Sequence, residues 1–385
     1  MPRASRLEQR LRARLAELEA GGLLRSPRAP AGIDLCSNDY LCLSAHPLLR
    51  QRMAEAAERE GCGSTGSRLL RGERECFRAL EHRFAAFEQA EQALYFSSGY
   101  LANVAVLTTF AEAGDVIFSD ERNHASLIDG ARLSRAGRVI FPHNDSAALE
   151  QLLRGAGDSG QKFVVTESLF SMDGDMAPLA DYAALCRKYG AALIVDEAHA
   201  VGIYGGRGSG LLEAADIDPF VSINTAGKAL GVCGAFVAGS EWAIEYLVQR
   251  ARPFIFSTAA PPPVAAALDA SLTVLEAEPW RRRQLLARAG YLRRKLTEAG
   301  IAVPVGESQI IPVILGDNER ALQVSQRLQQ EGFDARAIRP PTVPPGTARL
   351  RISVNAGLEE ATLGRFTAVL SAALKECAAC SAVSL

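Results

Sequence analysis

The sequence contains no uninterrupted apolar run of the roughly 18 residues that a membrane-spanning helix needs. Its first stretch, Met1 to Ala20, is rich in Arg and Glu and lacks the apolar core of a secretion signal. No membrane association is expected, and the cytoplasm is the expected location. Excess charge is missing as well. The 42 basic and 44 acidic residues leave a formal net charge of −2, which gives no electrostatic reason to bind nucleic acid. The five histidines, His46, His82, His124, His143 and His199, show no metal-ligand spacing, so no metal is expected. Eight cysteines are scattered without a framework pattern, and Cys377 and Cys380 form a single C-x-x-C with no second pair to complete a zinc site. Lysine is scarce too: Lys162, Lys188, Lys228, Lys295 and Lys375 are the only ones among those 42 basic residues. A lysine set among small residues in so Arg-rich a chain hints that an amine is needed there.

What is present reads as an ordinary globular chain of 385 residues, 48% hydrophobic and 22% charged. That length suggests about two to three domains. Leu7, Leu11, Leu15 and Leu18 recur at helical spacing before Gly21-Gly22, which predicts an amphipathic helix that packs on the body or on a partner subunit. A second helix is expected over about 47–60, ending in the run GCGSTGSR at 61–68. From there short apolar runs alternate with helical patterns: 93–96, 116–118, 163–165, 192–195, 221–223 and 235–237. None alternates strictly with polar residues, as expected of strands buried on both faces of a mostly parallel sheet. Beyond Pro261-Pro262-Pro263 the pattern changes to a helical region over 264–299 and strands near 310–315 and 348–354. The expected organisation is an N-terminal helix and arm (1–35), a large α/β domain (36–270) and a smaller C-terminal α+β domain (271–385).

In such sheets ligands collect at the C-terminal ends of the strands, so polar residues just after the apolar runs carry the chemical information. Ser97-Ser98-Gly99-Tyr100 follows one run and opens a helix, offering free N–H groups suited to a phosphate; an ordinary strand-to-helix turn reads the same way. Asp196 directly ends another run, where a carboxylate is costly unless donors or a cation, such as a protonated pyridine nitrogen, meet it. A helix cap is the plainer alternative. Lys228, in Asn224-Thr225-Ala226-Gly227-Lys228-Ala229, fails the P-loop pattern and suits a Schiff base, with Thr225 placed to help hold a phosphate. Any single lysine is more commonly a solvated loop residue. His124 follows the 116–118 run and points to the same region, unless it is a surface histidine. The literal G-x-G-x-x-G at 61–66 follows a helix rather than a strand and is rejected as a dinucleotide site. Together a phosphate turn, an imidazole, a carboxylate and a lysine follow successive strands. An aldehyde cofactor with a phosphate and a ring nitrogen needs that set.

Several stretches then carry a resemblance: Ser37-Asn38-Asp39-Tyr40-Leu41, the 61–72 glycine run, Ser98-Gly99-Tyr100, 123–127, 170–175, Asp196-Glu197-Ala198-His199 and Thr225-Ala226-Gly227-Lys228. The chain resembles the α-oxoamine synthases, fold-type-I enzymes dependent on pyridoxal 5′-phosphate (PLP) that condense an amino acid with an acyl thioester. The resemblance implies an aspartate-aminotransferase-like α/β fold and a homodimer with shared active sites. It implies that Lys228 bonds the cofactor and removes the Cα proton, that Asp196 pairs with the ring nitrogen, and that His124 stacks on the ring. His199 and Ser171 would hydrogen-bond the ring oxygen. Ser98, Gly99, Tyr100 and Thr225 would hold the phosphate, and Thr258 would reach the phosphate of the neighbouring subunit. Arg351 would grip the substrate carboxylate, with Asn38 beside it and Arg349 as the alternative; Thr342 and Arg25 would lie near the substrate. The stretch 338–351 most resembles the biotin-pathway branch, which implies L-alanine and pimeloyl-CoA or a pimeloyl-carrier protein as substrates. Sister branches using glycine or serine share the same motifs, and a non-catalytic partner subunit would usually lose the lysine retained here. Phe77 stands where the family usually has His, Ala226 and Ala200 replace a common Phe and Gly, and the segment before Asn38 is short, which bears on acyl-chain preference and on the identity of the N-terminal arginine.

Overall fold

The computed structural model describes residues 5–157 and 160–383, and two compact units emerge from it. The larger gathers Asn38–Ser171 and Asp175–Gln284 around a seven-stranded sheet. Its strands are β1 (Gln92–Phe96), β2 (Val116–Asp120), β3 (Gly137–Phe141), β4 (Lys162–Glu167), β5 (Ala191–Asp196), β6 (Val221–Thr225) and β7 (Ala235–Gly239). They lie in the order β1-β7-β6-β5-β4-β2-β3, with β7 antiparallel to both its neighbours and every other pairing parallel.

The lack of polar alternation in the apolar runs has a direct cause. Ile117, Phe163, Val165 and Ile194 enter a core cluster on one side of the sheet, shared with Ala102, Val106 and Leu127. Their neighbours Phe118, Val164, Leu193 and Val195 enter a second cluster with Leu149, Leu179 and Tyr182. Both faces are covered by helices, so most positions along a central strand are apolar until the strand ends. Polar side chains therefore appear at the strand ends, where Asp120, Glu167, Asp196 and Thr225 stand.

The expected boundary near 270 falls instead between Gln284 and Leu285. The reason is packing: the helix Pro262–Ala277 lies against the helices Pro47–Glu60 and Glu75–Glu88 and so belongs to the larger unit. The smaller unit joins the chain up to Ser37, Met172–Gly174 and the stretch from Leu285 onward. Within it Ala348–Ser353 forms the centre of a three-stranded antiparallel sheet, flanked by Ala337–Ile338 and Ile310–Gly316. The N-terminal segment joins this unit through a two-residue parallel pairing, Ile33–Asp34 with Phe333–Asp334, and through Ser353 N–H donating to Leu35 O at 2.8 Å. The predicted amphipathic helix forms at Arg6–Ala20, capped by Ser5, but none of its residues is buried and its leucine stripe stays exposed. Among the described residues no helix is long and apolar enough to cross a membrane. The side chain of Cys380 lies outside the described residues.

Phe77, one departure from the family pattern, is fully buried with its ring beneath the Arg68 guanidinium, 5.1 Å from the ring centroid. Arg68 makes a bidentate pair with Glu81 at 2.8 and 2.9 Å and bonds Glu73 at 2.6 Å; Glu81 also accepts from Tyr95 N–H at 2.8 Å. This pair anchors the helix Glu75–Glu88 to β1, the first strand of the sheet. Truncating one partner leaves the other charge buried. Arg68→Ala is expected to destabilise the protein by about 3–5 kcal/mol, measured by urea unfolding. A loss within the scatter of surface substitutions would contradict this account of the pair.

Candidate active site

The site grows from the strand ends of the larger unit. After β1, Ser98 caps the helix Gly99–Phe110, its Oγ accepting from Leu101 N–H at 3.2 Å. The next residue must be small: a Cβ on Gly99 would come within 2.5 Å of Thr225 Oγ1 at the end of β6. A hydroxyl and a helix N-terminus therefore converge from two strands, which is the cradle a phosphate requires. Tyr100 begins the helix on its exposed side, its hydroxyl bonded to Asp129. Thr258 borders a small cavity shared with Arg68, Phe77, Ser97 and Phe254 of its own chain.

Asp196 ends β5 almost wholly buried, and its charge is met by donors. Ala198 N–H donates to Oδ1 at 2.9 Å, and Asn103 Nδ2 donates to Oδ2 at 2.7 Å. Asn103 Nδ2 also donates to Ser126 Oγ at 2.8 Å, and Ser126 Oγ lies 2.7 Å from His124 Nδ1. Asp196 and His124 are thus linked through two polar residues that motif reading did not single out. Asn103 carries a signal of its own, being the one amide in the otherwise apolar buried face of its helix. His124 caps the helix Ala125–Leu133, with Ser126 N–H donating to Nδ1 at 3.3 Å. The residue is exposed. Packing around the ring pushes its pKa below the ordinary histidine value; Asp196 opposes that shift and Lys228 adds to it. A neutral, solvent-reachable imidazole suits stacking.

Lys228 follows β6. Its Nζ is 2.9 Å from His199 Nε2, and His199 Nδ1 is 2.8 Å from the Tyr40 hydroxyl, which donates to Asn38 Oδ1 at 3.0 Å. Lysine, histidine and asparagine from three separate motifs therefore form one hydrogen-bonded chain through Tyr40, a residue without a predicted role. Glu167 is a further addition. It ends β4 directly opposite Asp196, accepts the backbone N–H groups of His124 and Ser171, and keeps Oε1 buried without a hydrogen-bond partner. Burial and then the Asp196 charge push its pKa up to about 8, with Lys228 opposing. A carboxylate ending a buried strand is the signal that marked Asp196, and it marks Glu167 equally.

Ser171 sits on a hairpin closed by the Leu169–Met176 bridge. His143 pins this hairpin to the sheet. Its Nδ1 bonds Asp120 at 2.9 Å, its Nε2 bonds Asp175, and its ring stands edge-on to Phe170 at 4.4 Å.

The remaining predicted residues belong to the smaller unit. Arg25 donates to Thr342 Oγ1 at 3.3 Å and to the carbonyls of Arg339 and Pro340 at 3.4 and 3.1 Å, so two substrate candidates meet there. Arg351 is buried, with Nη1 donating to Ser353 Oγ at 2.7 Å. Arg349, also buried, is tied to Asp173 and to Thr347 O.

The large-unit residues fit PLP. A phosphate cradle, a buried carboxylate for a ring nitrogen, an exposed imidazole and an amine all stand at the C-terminal ends of one sheet. Among the described residues no group of His, Cys, Asp and Glu could hold a metal ion.

Comparisons with known proteins agree. The profile of the family described as aminotransferase class I and II matches residues 30–370. The chain is 45% identical over 381 residues to 8-amino-7-oxononanoate synthase of Geobacter sulfurreducens, covering 94% of this chain and 97% of that protein. It is 46% identical over 379 residues to the Anaeromyxobacter dehalogenans protein of the same name, covering 94% and 95%. Among solved structures, a serine palmitoyltransferase from S. paucimobilis with bound PLP superposes with a TM-score of 0.90 at 30% identity, over 98% of this chain and 100% of that one. The 8-amino-7-oxononanoate synthase of Francisella tularensis superposes with a TM-score of 0.78 at 29% identity, over 90% and 98%.

The His143 bridge makes a prediction. Burial opposes its charge, but the Asp120 and Asp175 carboxylates outweigh burial and raise its pKa to about 9. Its stabilising contribution is whole below the ordinary histidine value of about 6.5 and is lost as pH rises through about 9. The melting temperature of the wild type should fall across that window more steeply than that of His143→Gln. Glu167 titrates in the same range in both proteins, so the comparison isolates His143. Equal slopes would contradict the bridge.

Proposed function

The chain belongs to the class I and II aminotransferase family, and from that premise we propose that it is a PLP-dependent acyltransferase of biotin biosynthesis that joins L-alanine to a pimeloyl thioester. The net reaction forms a bond between the alanine Cα and the thioester carbonyl carbon. The C–S bond breaks and the thiol leaves; the alanine carboxylate departs as CO2, and 8-amino-7-oxononanoate remains. The observation that carries this reading is the 2.9 Å contact of Lys228 with His199 beside the buried Asp196, in a chain about 45% identical to proteins named for that product.

PLP, when bound, supplies the electron sink for the pair left on the amino acid's Cα. The chain's own residues do the rest. Lys228 holds the cofactor covalently when no substrate is present and, once released, takes the Cα proton. Asp196, fixed by Asn103 and Ala198, is the countercharge that keeps a ring nitrogen protonated. His124 covers one ring face. Ser171 and His199 bond the ring oxygen, while Ser98, Gly99, Tyr100 and Thr225 hold the phosphate. Arg351 supplies a planar fork for the substrate carboxylate, with Thr342, Arg25 and Asn38 as further substrate-binding residues.

A homodimer with shared sites completes the proposal, with Thr258 reaching the neighbouring phosphate. The acyl carrier is CoA or a carrier protein. A cytoplasmic location suits the free thiols of Cys36, Cys62, Cys76, Cys186 and Cys233.

The likeness to serine palmitoyltransferase structures favours one second reading, a sister synthase using serine. One assay separates the two: thiol release by the PLP-loaded protein from pimeloyl-CoA with alanine, glycine or serine, and from palmitoyl-CoA with serine. Alanine with pimeloyl-CoA is expected to win by a wide margin, and Lys228→Ala to lower that rate on the order of 10^4-fold. Preference for serine and palmitoyl-CoA would overturn the assignment.

A further inference from the structure

Tyr40 is fully buried, and its hydroxyl stands between two groups: Asn38 Oδ1 at 3.0 Å and His199 Nδ1 at 2.8 Å. A phenol has one proton to give. Asn38 presents a carbonyl oxygen, which can only accept, so the Tyr40 proton goes there. Toward His199 the Tyr40 oxygen is then an acceptor, and His199 Nδ1 must carry a hydrogen. In a neutral imidazole the other nitrogen is the acceptor, and Nε2 lies 2.9 Å from the donor Nζ of Lys228. Every bond in the chain then runs one way, from Lys228 through His199 and Tyr40 to Asn38. The opposite ring form would set an N–H against the lysine's own hydrogens. It would also draw the Tyr40 proton away from Asn38 Oδ1.

We propose that Tyr40 and Asn38 are positioning residues that hold the His199 proton on Nδ1, so that the Nε2 lone pair faces Lys228. The local chain is built for this. Asp39 turns the backbone, accepting from Leu43 N–H at 2.9 Å and from Ser44 Oγ at 2.6 Å, while Leu41 and Leu43 are fully buried on either side of the turn. The Tyr40 hydroxyl is thereby delivered to His199 from a segment far away in sequence. The lone pair orients the Lys228 amine and is an acceptor within hydrogen-bond reach for a proton that Lys228 sheds. The importance of that lone pair rests on the reading of Lys228 as the cofactor lysine; the placement of the proton does not.

The test is a two-bond 1H–15N correlation spectrum of the full chain labelled with 15N-histidine, recorded above the His199 titration, both without PLP and with it. The His199 signals are identified by their loss in His199→Gln. In the wild type without PLP, Nδ1 is expected to appear protonated and Nε2 bare. Tyr40→Phe removes the acceptor and should move the ring toward the Nε2–H form. Asn38→Leu frees the Tyr40 proton to turn toward His199 and should do the same, whereas Asn38→Asp keeps an acceptor oxygen and should retain the wild-type pattern. If Tyr40→Phe fails to fold, the two Asn38 variants decide the matter. A wild-type ring protonated on Nε2, or an unchanged ring form in Tyr40→Phe and Asn38→Leu, would overturn the proposal. Because the spectrum without PLP needs neither cofactor nor substrate, a failure here is distinct from a failure of the assigned reaction.

Discussion

A charged group buried at the end of a strand must be met by donors or by an opposite charge, and that constraint organises this protein. Asp196 lies at the end of a strand whose every other residue faces one of two apolar cores. Its two oxygens accept from Ala198 and Asn103. Those bonds fix its orientation, ready to face a cationic ring nitrogen. Glu167, one strand away in register, is fully buried beside the Asp196 charge, and these two effects raise its pKa to about 8. Two carboxylates thus stand at neighbouring strand ends, and the charge of one raises the pKa of the other.

From Asp196 the polar contacts run outward along one path and from Lys228 along another. One passes through Asn103 and Ser126 to His124. The other passes through His199 and Tyr40 to Asn38. Both rest on buried side chains that touch no reacting group yet decide how the ones that do are turned. The hairpin bearing Ser171 is held separately, by an imidazolium between Asp120 and Asp175. The rigidity of the site thus comes from residues bonded to one another across strand ends, which the parallel order of the sheet brings into reach.

Much of this was legible in the sequence. The six apolar runs lacking polar alternation became six strands of the central sheet, because helices cover both faces. The polar residues after them, Ser98, His124, Asp196, Thr225 and Lys228, stand at the strand ends where that architecture puts them. The seventh strand, Gly137–Phe141, escaped notice because its edge position leaves Gly137, Arg138 and Ile140 exposed and blurs the apolar pattern. Asn103 and Glu167 carry local signals, a lone amide on a buried helix face and a carboxylate ending a buried strand, whereas Tyr40 was illegible as a site residue. Its role depends on which distant segment packs beside it, and no local pattern states that Tyr40 meets His199. The boundary near 270 was misplaced because the triple proline marks the start of a helix rather than the end of a unit; proline at a first helical turn is compatible with either.

The central claim is that Lys228 is the amine this site was built around. Borohydride reduction of the PLP-loaded protein, followed by peptide mass spectrometry, tests it most directly. The account predicts a single phosphopyridoxyl addition on Lys228. Modification of Lys162, Lys188, Lys295 or Lys375 instead, or a lysine inventory left untouched, would contradict it.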